Sequence, residues 1–522
     1  MKRSRLLWVD DEIELLRPYI LFLQEKGYDV DTTTNGVDAI SRCQSVAYDL
    51  VLLDEHMPGI TGLETLEQLK VYRPTTPVIM VTKSEEEHIM DMAIGRKIAD
   101  YLIKPVNPNQ ILLSLKRNLH RQSIESEVSQ SDYTEEFSKI GRQIAEASDT
   151  KSWEGLYRKI VKWELDFADT HHPMGEMLKQ QKEEATEAFS KFVAKHYLSW
   201  VASYRRGEQE QRPLLSPEVF PRKVFPMLEQ GKKVFFLVLD NFRYDQWRML
   251  VSKIPADFSI TESLYYSILP TTTQYARNAL FSGLMPSEIV RTFPELWVED
   301  SDEEPKNRDE ALLLEDLLRR YHRTESFSYR KFTDAGSIEQ LIREIPQLQK
   351  NELNVAVANF IDMLSHGRTE NKMIRELAKT EAAYRSITQS WFVHSSLNDL
   401  LMQFSRTGYT IVITTDHGSI RVTQSEKVVC HNNDTTNNLR YKVSKNITHH
   451  SKRIYEIANP TDAMLPCKSL SSRYIFAMGP TYLSYAQYFN LFARRYEDTF
   501  QHGGISLEEM IIPFIVLESE RG

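Results

Sequence analysis

Residues of the types that bind metal ions follow strand-like apolar runs in the C-terminal part of the chain. They are Asp240, Thr273, Asp362, His366, Asp416, His417 and His502. Mixed carboxylate and imidazole ligation suits Zn²⁺, with Mn²⁺ as the alternative. Two metal ions about 3.5–4 Å apart can hold the attacking and leaving oxygens of an in-line displacement at phosphorus. A single D-x-x-x-H or DHG segment is a weak signal, but several in order predict a phosphoryl-transfer site with two metal ions.

A second set of charged residues lies near the N-terminus. Asp10, Asp11 and Asp54 each come at the end of an apolar run, as do Thr82 and Lys104. The three carboxylates can hold one Mg²⁺, a hard cation that prefers oxygen ligands. The ion would neutralise an incoming phosphoryl group while Asp54 attacks it and forms an acyl phosphate. Lys104 would pair with that phosphate, and the Thr82 hydroxyl would follow it inward.

These N-terminal residues require a sheet that brings the ends of its strands together. Apolar runs alternate with helical patterns such as residues 12–27, where apolar side chains recur every three or four positions until Gly27. Buried strands that alternate with helices predict a parallel, doubly wound sheet, whose ligands sit at the carboxyl ends of the strands. We expect this α/β domain over residues 1–120.

The middle of the chain has the pattern of helices without strands. Residues 121–210 keep apolar spacings of three and four, and Trp153, Trp163 and Trp200 lie along them. We predict a helical bundle or helical spacer that joins two α/β domains, with these aromatic side chains in its core, and in a receiver protein such a segment can carry dimerisation. The second α/β domain, which must position the metal ligands, is then expected over residues 211–522.

Composition narrows the class of protein. The chain has 522 residues, 41% of them hydrophobic and 26% charged, and its net charge of −9 argues against a general nucleic-acid coat protein. We expect no signal peptide and no membrane insertion, since no apolar stretch approaches the roughly 18 residues that span a bilayer. Cysteines are few and lack CxxC spacing, which favours the cytoplasm.

The N-terminal motifs resemble those of response-regulator receiver domains, which have a flavodoxin-like fold. The chain shows the acidic pair, then D-x-x-M-P-G at Asp54, then the threonine and Lys-Pro. The resemblance implies that Asp54 is phosphorylated by a sensor histidine kinase. It also implies that Tyr101 is the switch aromatic, and that His56 joins the three aspartates around the Mg²⁺.

The segments over roughly 220–522 resemble the alkaline phosphatase superfamily, and within it the PglZ-type domain. By this likeness one zinc is held by Asp240, Asp416 and His417 with Thr273 bonded to it as nucleophile, and the second zinc by Asp362, His366 and His502. Thr271 and Thr272 are alternative nucleophiles. The superfamily's spacing to the glycine of a small-x-Gly turn, here Gly283, favours Thr273. The other two threonines are then expected to cap the helix that follows.

The substrate class is predicted less directly. Monoesterases of the superfamily usually add a guanidinium or a third metal for the extra phosphate charge of their substrate. We expect Arg243 and Arg277 to be structural ion-pair partners instead, and this favours a phosphodiesterase. Residues 421–453 carry seven Lys and Arg against two acids. We expect a loop or hairpin there that steers a polyanionic diester such as an oligonucleotide or cyclic nucleotide. The acidic residues 299–310 are expected to form a solvated loop.

The order of the three segments resembles response regulators associated with type IX secretion. That resemblance implies contacts with the secretion machinery or a sigma factor, and a homodimer that forms on phosphorylation. An alternative is an interaction platform in which zinc is structural and the phosphorylated dimer recruits a partner. The complete nucleophile and ligand set favours the enzyme.

Overall fold

The chain divides into two compact units, residues 1–132 and 133–522. The computed structural model describes residues 3–74, 76–83, 98–119, 121–167, 174–210, 212–298, 307–332, 335–370, 374–375, 378, 380–429, 438–467, 469, 471–486, 489 and 495–519. Among these residues, no helix combines the length and apolar content that crossing a membrane requires.

The first unit is a parallel sheet with helices on both faces. Its strands are β1 Arg5–Val9, β2 Asp29–Thr33, β3 Leu50–Leu53, β4 Val78–Thr82 and β5 Asp100–Ile103. Its helices are α1 Arg17–Glu25, α2 Gly36–Ser45, α3 Gly62–Tyr72 and α4 Pro108–Leu119, with a 3₁₀ turn at Ile13–Leu16. The strand order β2-β1-β3-β4-β5, parallel throughout, is the flavodoxin-like order. The predicted fold class of this unit is confirmed.

Alternation along β1 explains why the sheet is covered on both faces. Leu7 and Val9 pack in one hydrophobic cluster, whereas Leu6 and Trp8 pack in another. Successive side chains of a strand point to opposite faces, so a strand that is apolar at every position needs helices on both sides. Polar residues therefore come after these strands, at their ends, and not within them.

The second unit begins with long helices. They are α5 Arg121–Glu146, α6 Thr150–Asp166 and α7 Gly175–Arg205, and α5 contains the boundary between the two units. Trp153, Trp163 and Trp200 are buried in the same hydrophobic cluster as the strands of the large sheet. The prediction of helices with buried tryptophans is confirmed, but their core is shared with the six-stranded sheet and is not that of a separate bundle.

The sheet of the second unit has six strands. They are β6 Lys233–Leu239, β7 Phe258–Tyr266, β8 Phe327–Phe332, β9 Leu353–Ala358, β10 Tyr409–Thr414 and β18 Ile511–Ser519. The order is β7-β18-β10-β6-β9-β8, in which β10, β6, β9 and β8 are parallel and β18 runs antiparallel between β10 and β7. The carboxyl ends of β6, β9 and β10 and the amino end of β18 therefore share one edge.

Shorter elements surround this sheet. The helices are α8 Phe225–Glu229, α9 Tyr244–Leu250, α10 Asn278–Ser282, α11 Pro286–Thr292, α12 Glu310–Arg320, α13 Ala335–Leu348, α14 Phe360–Glu370, α15 Glu381–His394, α16 Leu397–Arg406 and α17 Leu507–Met510. Turns of π-helix lie at Phe220–Val224 and Thr273–Arg277, and 3₁₀ turns at Ser216–Glu218, Val251–Lys253, Pro294–Leu296 and Pro460–Ala463. The remaining strands are β11 Ile420–Arg421, β12 Gln424–Val428, β13 Tyr441–Ser444, β14 Ile454–Ile457, β15 Arg473–Ala477, β16 Thr481–Tyr485 and β17 Phe500–Gln501.

The prediction of a loop or hairpin over residues 421–453 is wrong for the part that the structure describes. The strands β11, β12 and β13 pair with the later strands β17, β16 and β15, not with each other. Arg440 is fully buried against Glu509 at 2.6 Å, and Lys442 is buried as well. The sequence count of basic residues therefore overstates the positive charge that this segment presents to solvent.

Candidate functional site

Three of the predicted zinc ligands follow two strands that end at the shared edge of the six-stranded sheet. Asp240 follows β6, and Asp416 with His417 follows β10. The ligand atoms of these three buried residues, which we call the first ligand group, lie within 4.8 Å of one another. Nε2 of His417 is 3.8 Å from Oδ1 of Asp240 and 3.7 Å from Oδ2 of Asp416.

Three further predicted ligands form the second ligand group. Asp362 and His366 lie on successive turns of α14, and His502 comes from the loop between β17 and α17. Nε2 of His366 is 3.5 Å from Oδ2 of Asp362, and Nε2 of His502 is 3.7 Å from Oδ1. The rings of His417 and His502 stack with centroids 4.3 Å apart. The two groups therefore adjoin.

The three threonines before the π turn have different surroundings. Oγ1 of Thr273 lies 3.1 Å from Nε2 of His417 and 3.4 Å from Oδ1 of Asp240. The expected capping by Thr271 and Thr272 is wrong. Thr272 occupies the N-cap without a side-chain cap bond, and its buried hydroxyl has no hydrogen-bond partner among the described residues. Of the three threonines, Thr273 is the one whose hydroxyl lies beside the first ligand group.

Thr271 joins two loops instead of capping a helix. Its hydroxyl donates to the carbonyl oxygen of Gly504 at 2.9 Å and accepts from the backbone N–H of Gly503 at 3.0 Å. A threonine before a helix is normally read as a cap, because the local sequence carries no sign of a partner more than two hundred residues away. The loop of Thr273 and the loop of His502 are thus fastened to each other.

The electrostatics of the ligand groups fit a metal centre. Burial, with Asp240 beside it, raises the pKa of Asp416 to about 6, and Oδ2 of Asp416 is a buried oxygen without a hydrogen-bond partner among the described residues. Burial also raises the pKa of Asp362. Burial, together with the neighbouring imidazoles, lowers the pKa of His502 well below its usual value and keeps it in the neutral form that binds metals. Crowded carboxylates beside imidazoles fit two divalent cations.

Arg277 orients the first ligand group. Burial opposes the ionisation of Asp240, yet Arg277 and His417 hold the pKa of Asp240 below its usual value. Nη1 of Arg277 lies 2.7 Å from Oδ2 of Asp240, and Nε lies 2.5 Å from Oε1 of Glu310. Arg243 is fully buried between Asp245 and Glu381, so both arginines are ion-pair partners, as predicted.

Two supporting residues were missed in the sequence. The expectation of a solvated loop over residues 299–310 is wrong at its end, because Glu310 is 1% exposed and begins α12; residues 299–306 lie outside the described part. Asn241 donates from Nδ2 to Oδ1 of Asp362 at 3.2 Å and has a positive φ of 64°. The apolar repeat of α12 was the signal in the sequence that could have placed Glu310 at the start of a helix and not in a loop.

The N-terminal residues converge at the carboxyl edge of the parallel sheet. The side chains of Asp10, Asp11 and Asp54 lie within 4.8 Å of one another. Nζ of Lys104 is 2.6 Å from Oδ2 of Asp10 and 2.9 Å from Oδ2 of Asp54. Burial raises the pKa of Asp10; burial disfavours charged Lys104, but its hydrogen bonds to the carboxylates hold its pKa above the usual value. This concentration of oxygen ligands fits Mg²⁺.

The other predicted receiver residues lie on the same strands. Thr82 is fully buried at the end of β4, and Tyr101 is half-buried in β5. His56 lies in the loop after β3 with an exposed side chain. Its imidazole is not among the described groups that gather around Asp54.

Family models match three consecutive segments of the chain. Residues 219–517 match the BREX system PglZ alkaline phosphatase-like domain. Residues 123–201 match the PorX response regulator linker domain, and residues 6–116 match the response regulator receiver domain.

Curated relatives resemble the receiver segment. The transcriptional regulatory protein ResD of Bacillus subtilis is 35% identical over 120 residues, which are 23% of this chain and 50% of that protein. A CpxR homolog of Haemophilus influenzae is 36% identical over 122 residues, 23% of this chain and 52% of that protein. The chain therefore spans about half the length of the curated relatives it matches.

Solved receiver structures cover the same part. A CheY-like receiver domain protein from Methanospirillum hungatei is 28% identical and covers 24% of this chain and 99% of its own, with a TM-score of 0.23. CheY4 of Vibrio cholerae is 28% identical and covers 23% of this chain and 100% of its own, with a TM-score of 0.22.

Proposed function

Because this chain belongs to the PglZ family of alkaline phosphatase-like domains, joined here to a response regulator receiver, we propose that it is a zinc-dependent phosphodiesterase. The order of receiver, linker and PglZ domain is that of a PorX-type response regulator. The observation that carries the proposal is the Thr273 hydroxyl, 3.1 Å from His417 in the first ligand group.

The two ligand groups and Thr273 have separate roles in the proposed reaction. The first ligand group would hold one Zn²⁺ together with Thr273, and the second ligand group would hold the other. When bound, two such ions activate a hydroxyl and stabilise the negative charge of the transition state. Oγ1 of Thr273 attacks phosphorus, the bond to the leaving alcohol breaks, the hydroxyl proton ends on that alcohol, and the phosphate, which keeps its second alcohol, is left in an ester bond to Thr273. Water then cleaves this ester and restores Thr273.

One observation supports a diester as the substrate. Arg243 and Arg277, the guanidinium groups considered for the site, are both engaged by carboxylates, so neither is available for the extra negative charge of a monoester. The ligand groups then serve a phosphate with one negative charge. We propose a nucleotide or oligonucleotide diester as the physiological class.

The receiver would control this activity. Receiver domains interact with sensor histidine kinases, and we propose that Asp54 accepts the phosphoryl group while Asp10 and Asp11 hold Mg²⁺. The match of residues 123–201 to the PorX linker supports a role in type IX secretion, with a sigma factor or a secretion component as partner.

Hydrolysis of a chromogenic phosphodiester, measured beside its monoester with the zinc-loaded chain, tests the proposal. We expect diester turnover, and a loss of at least about 100-fold in Thr273→Val, because the nucleophile is removed. Thr272→Val is the matched control. It removes a buried hydroxyl that has no hydrogen-bond partner among the described residues, and we expect full activity. No turnover of either ester with zinc bound stoichiometrically would favour the interaction platform instead.

A further inference from the structure

Helix α7 hydrogen-bonds to both loops that carry the candidate catalytic residues. The hydroxyl of Tyr197 accepts from the backbone N–H of Leu269 at 2.8 Å, in the loop that leads to Thr273. Oγ of Ser190 lies 3.0 Å from the carbonyl oxygen of Ile505, in the loop that follows His502, and its single proton is shared between that carbonyl and the carbonyl oxygen of Thr186 at 2.7 Å in the same helix. One helix therefore supports the two loops at once.

These bonds close into a ring through Thr271. Thr271 already fastens the two loops to each other by its bonds to Gly503 and Gly504. The path runs from Tyr197 to the Thr273 loop, across Thr271 to the His502 loop, and back to α7 at Ser190. The side chains of Ser190, Tyr197 and Thr271 are all fully buried, so solvent does not compete for their hydrogen bonds.

The helix is built to make both contacts from one face. Ser190 and Tyr197 are about two turns apart, which places them on the same side of α7. Further toward the start of the helix, Nζ of Lys182 lies 2.8 Å from Oε1 of Glu508 in α17. Ser190 also accepts from the backbone N–H of Gly479 at 3.1 Å. The face of α7 thus fastens the segment from His502 to α17 at several points.

We propose that Tyr197 and Ser190 are positioning residues that set Thr273 relative to His502. The inference rests on the proposed function and deepens it, since the helical segment becomes part of the phosphoesterase site and not a spacer. Thr273 lies against the first ligand group and His502 belongs to the second. The ring therefore fixes the distance between the nucleophile and the second metal position.

The same helix is bonded to α5. Gln181 of α7 accepts from the Tyr133 hydroxyl at 3.1 Å and donates to the carbonyl oxygen of Phe137 at 2.9 Å. The chain passes from the receiver segment directly into α5. Gln181 thus fastens α5 to the helix that carries Ser190 and Tyr197.

Kinetics of the zinc-loaded full chain test the inference. We expect Tyr197→Phe and Ser190→Ala each to lower kcat about tenfold and to leave KM within about twofold, because misplacement of reacting groups costs rate more than binding. The fold-loss of kcat in the double variant should be smaller than the product of the two single fold-losses, because either change opens the same ring. Tyr157→Phe is the control: Tyr157 is equally buried, and its hydroxyl has no hydrogen-bond partner among the described residues.

Hydrogen–deuterium exchange of the same proteins without zinc gives a readout that needs no activity. Tyr197→Phe should speed exchange in peptides that contain Leu269 and residues 503–505, and leave β13 to β15 unchanged. Faster exchange with no diesterase activity in any protein would uphold the ring and overturn the proposed function. A Tyr197→Phe protein that melts earlier but keeps kcat would show a merely structural role and overturn the inference. Unchanged exchange and kcat would overturn it as well.

Discussion

At the scale of residues, the ligand groups depend on side chains that touch no substrate. Asp240 is held by Arg277, and Arg277 is held in turn by Glu310, which also accepts from Lys331 at 3.3 Å. Asn241 performs the corresponding task for Asp362. Such partners fix the orientation of metal ligands and usually change affinity by one to two powers of ten.

Glu310→Gln should therefore weaken zinc binding. Loss of the carboxylate frees Arg277 to compete with the metal for Asp240, and we expect the affinity of one zinc site to fall about 10-fold to 100-fold. Competition with a chromophoric chelator measures both sites. Asp309→Asn serves as control because Asp309 is the neighbouring residue and pairs at 3.1 Å with the exposed Arg308. Equal affinities for the two variants would contradict the role of Glu310.

At the scale of elements, the ends of the long parallel strands were predictable and the small sheets were not. An unbroken apolar run such as β10 marks a buried strand, and the polar residues just after it mark the site. The strands within residues 421–453 were not predictable in this way. Their partner strands lie later in the chain, and a hydropathy pattern assigns Arg440 to the surface. A buried charge is tolerable only with its partner, and that partner, Glu509, is invisible to local sequence.

Arg440→Leu should destabilise the second unit. It leaves Glu509 as an unpaired buried charge, and Glu509 also accepts from the backbone N–H of Gly504 at 2.9 Å. Breaking one side of a buried pair costs about 3–5 kcal/mol. Urea denaturation followed by tryptophan fluorescence measures the change. Arg453→Leu, which removes a half-exposed partner of Glu426 at 3.7 Å, should cost less than about 1 kcal/mol. Similar losses in both variants would contradict the expectation.

At the scale of the whole molecule, the two units carry different chemistry. The receiver unit gathers its acids around Asp54, and the second unit gathers its ligand groups at the edge of the six-stranded sheet. Each unit has its own hydrophobic clusters, so each has the means to fold around its own site.

Phosphorylation should change the oligomeric state. We expect acyl-phosphate treatment with Mg²⁺ to convert monomer to dimer, because receiver domains often switch by pairing. Light scattering measures the mass. Asp54→Asn keeps the shape of the side chain and removes the acceptor, so it should stay monomeric under the same treatment. An unchanged mass of the treated wild-type chain would contradict the prediction.

The central position of β18 determines when each unit can finish folding during synthesis. The receiver sheet is complete once β5 has emerged, whereas β7 and β10 both wait for β18, which begins at Ile511. At roughly 5–20 residues per second, the ribosome needs on the order of tens of seconds to reach β18 from β6. Until then β7 and β10 lack a hydrogen-bonded neighbour on the side that β18 will occupy. Such unpaired strand edges are prone to pair with other chains, which makes them targets for chaperones. A nascent chain therefore completes the sheet that carries Asp54 before the sheet that carries the two ligand groups.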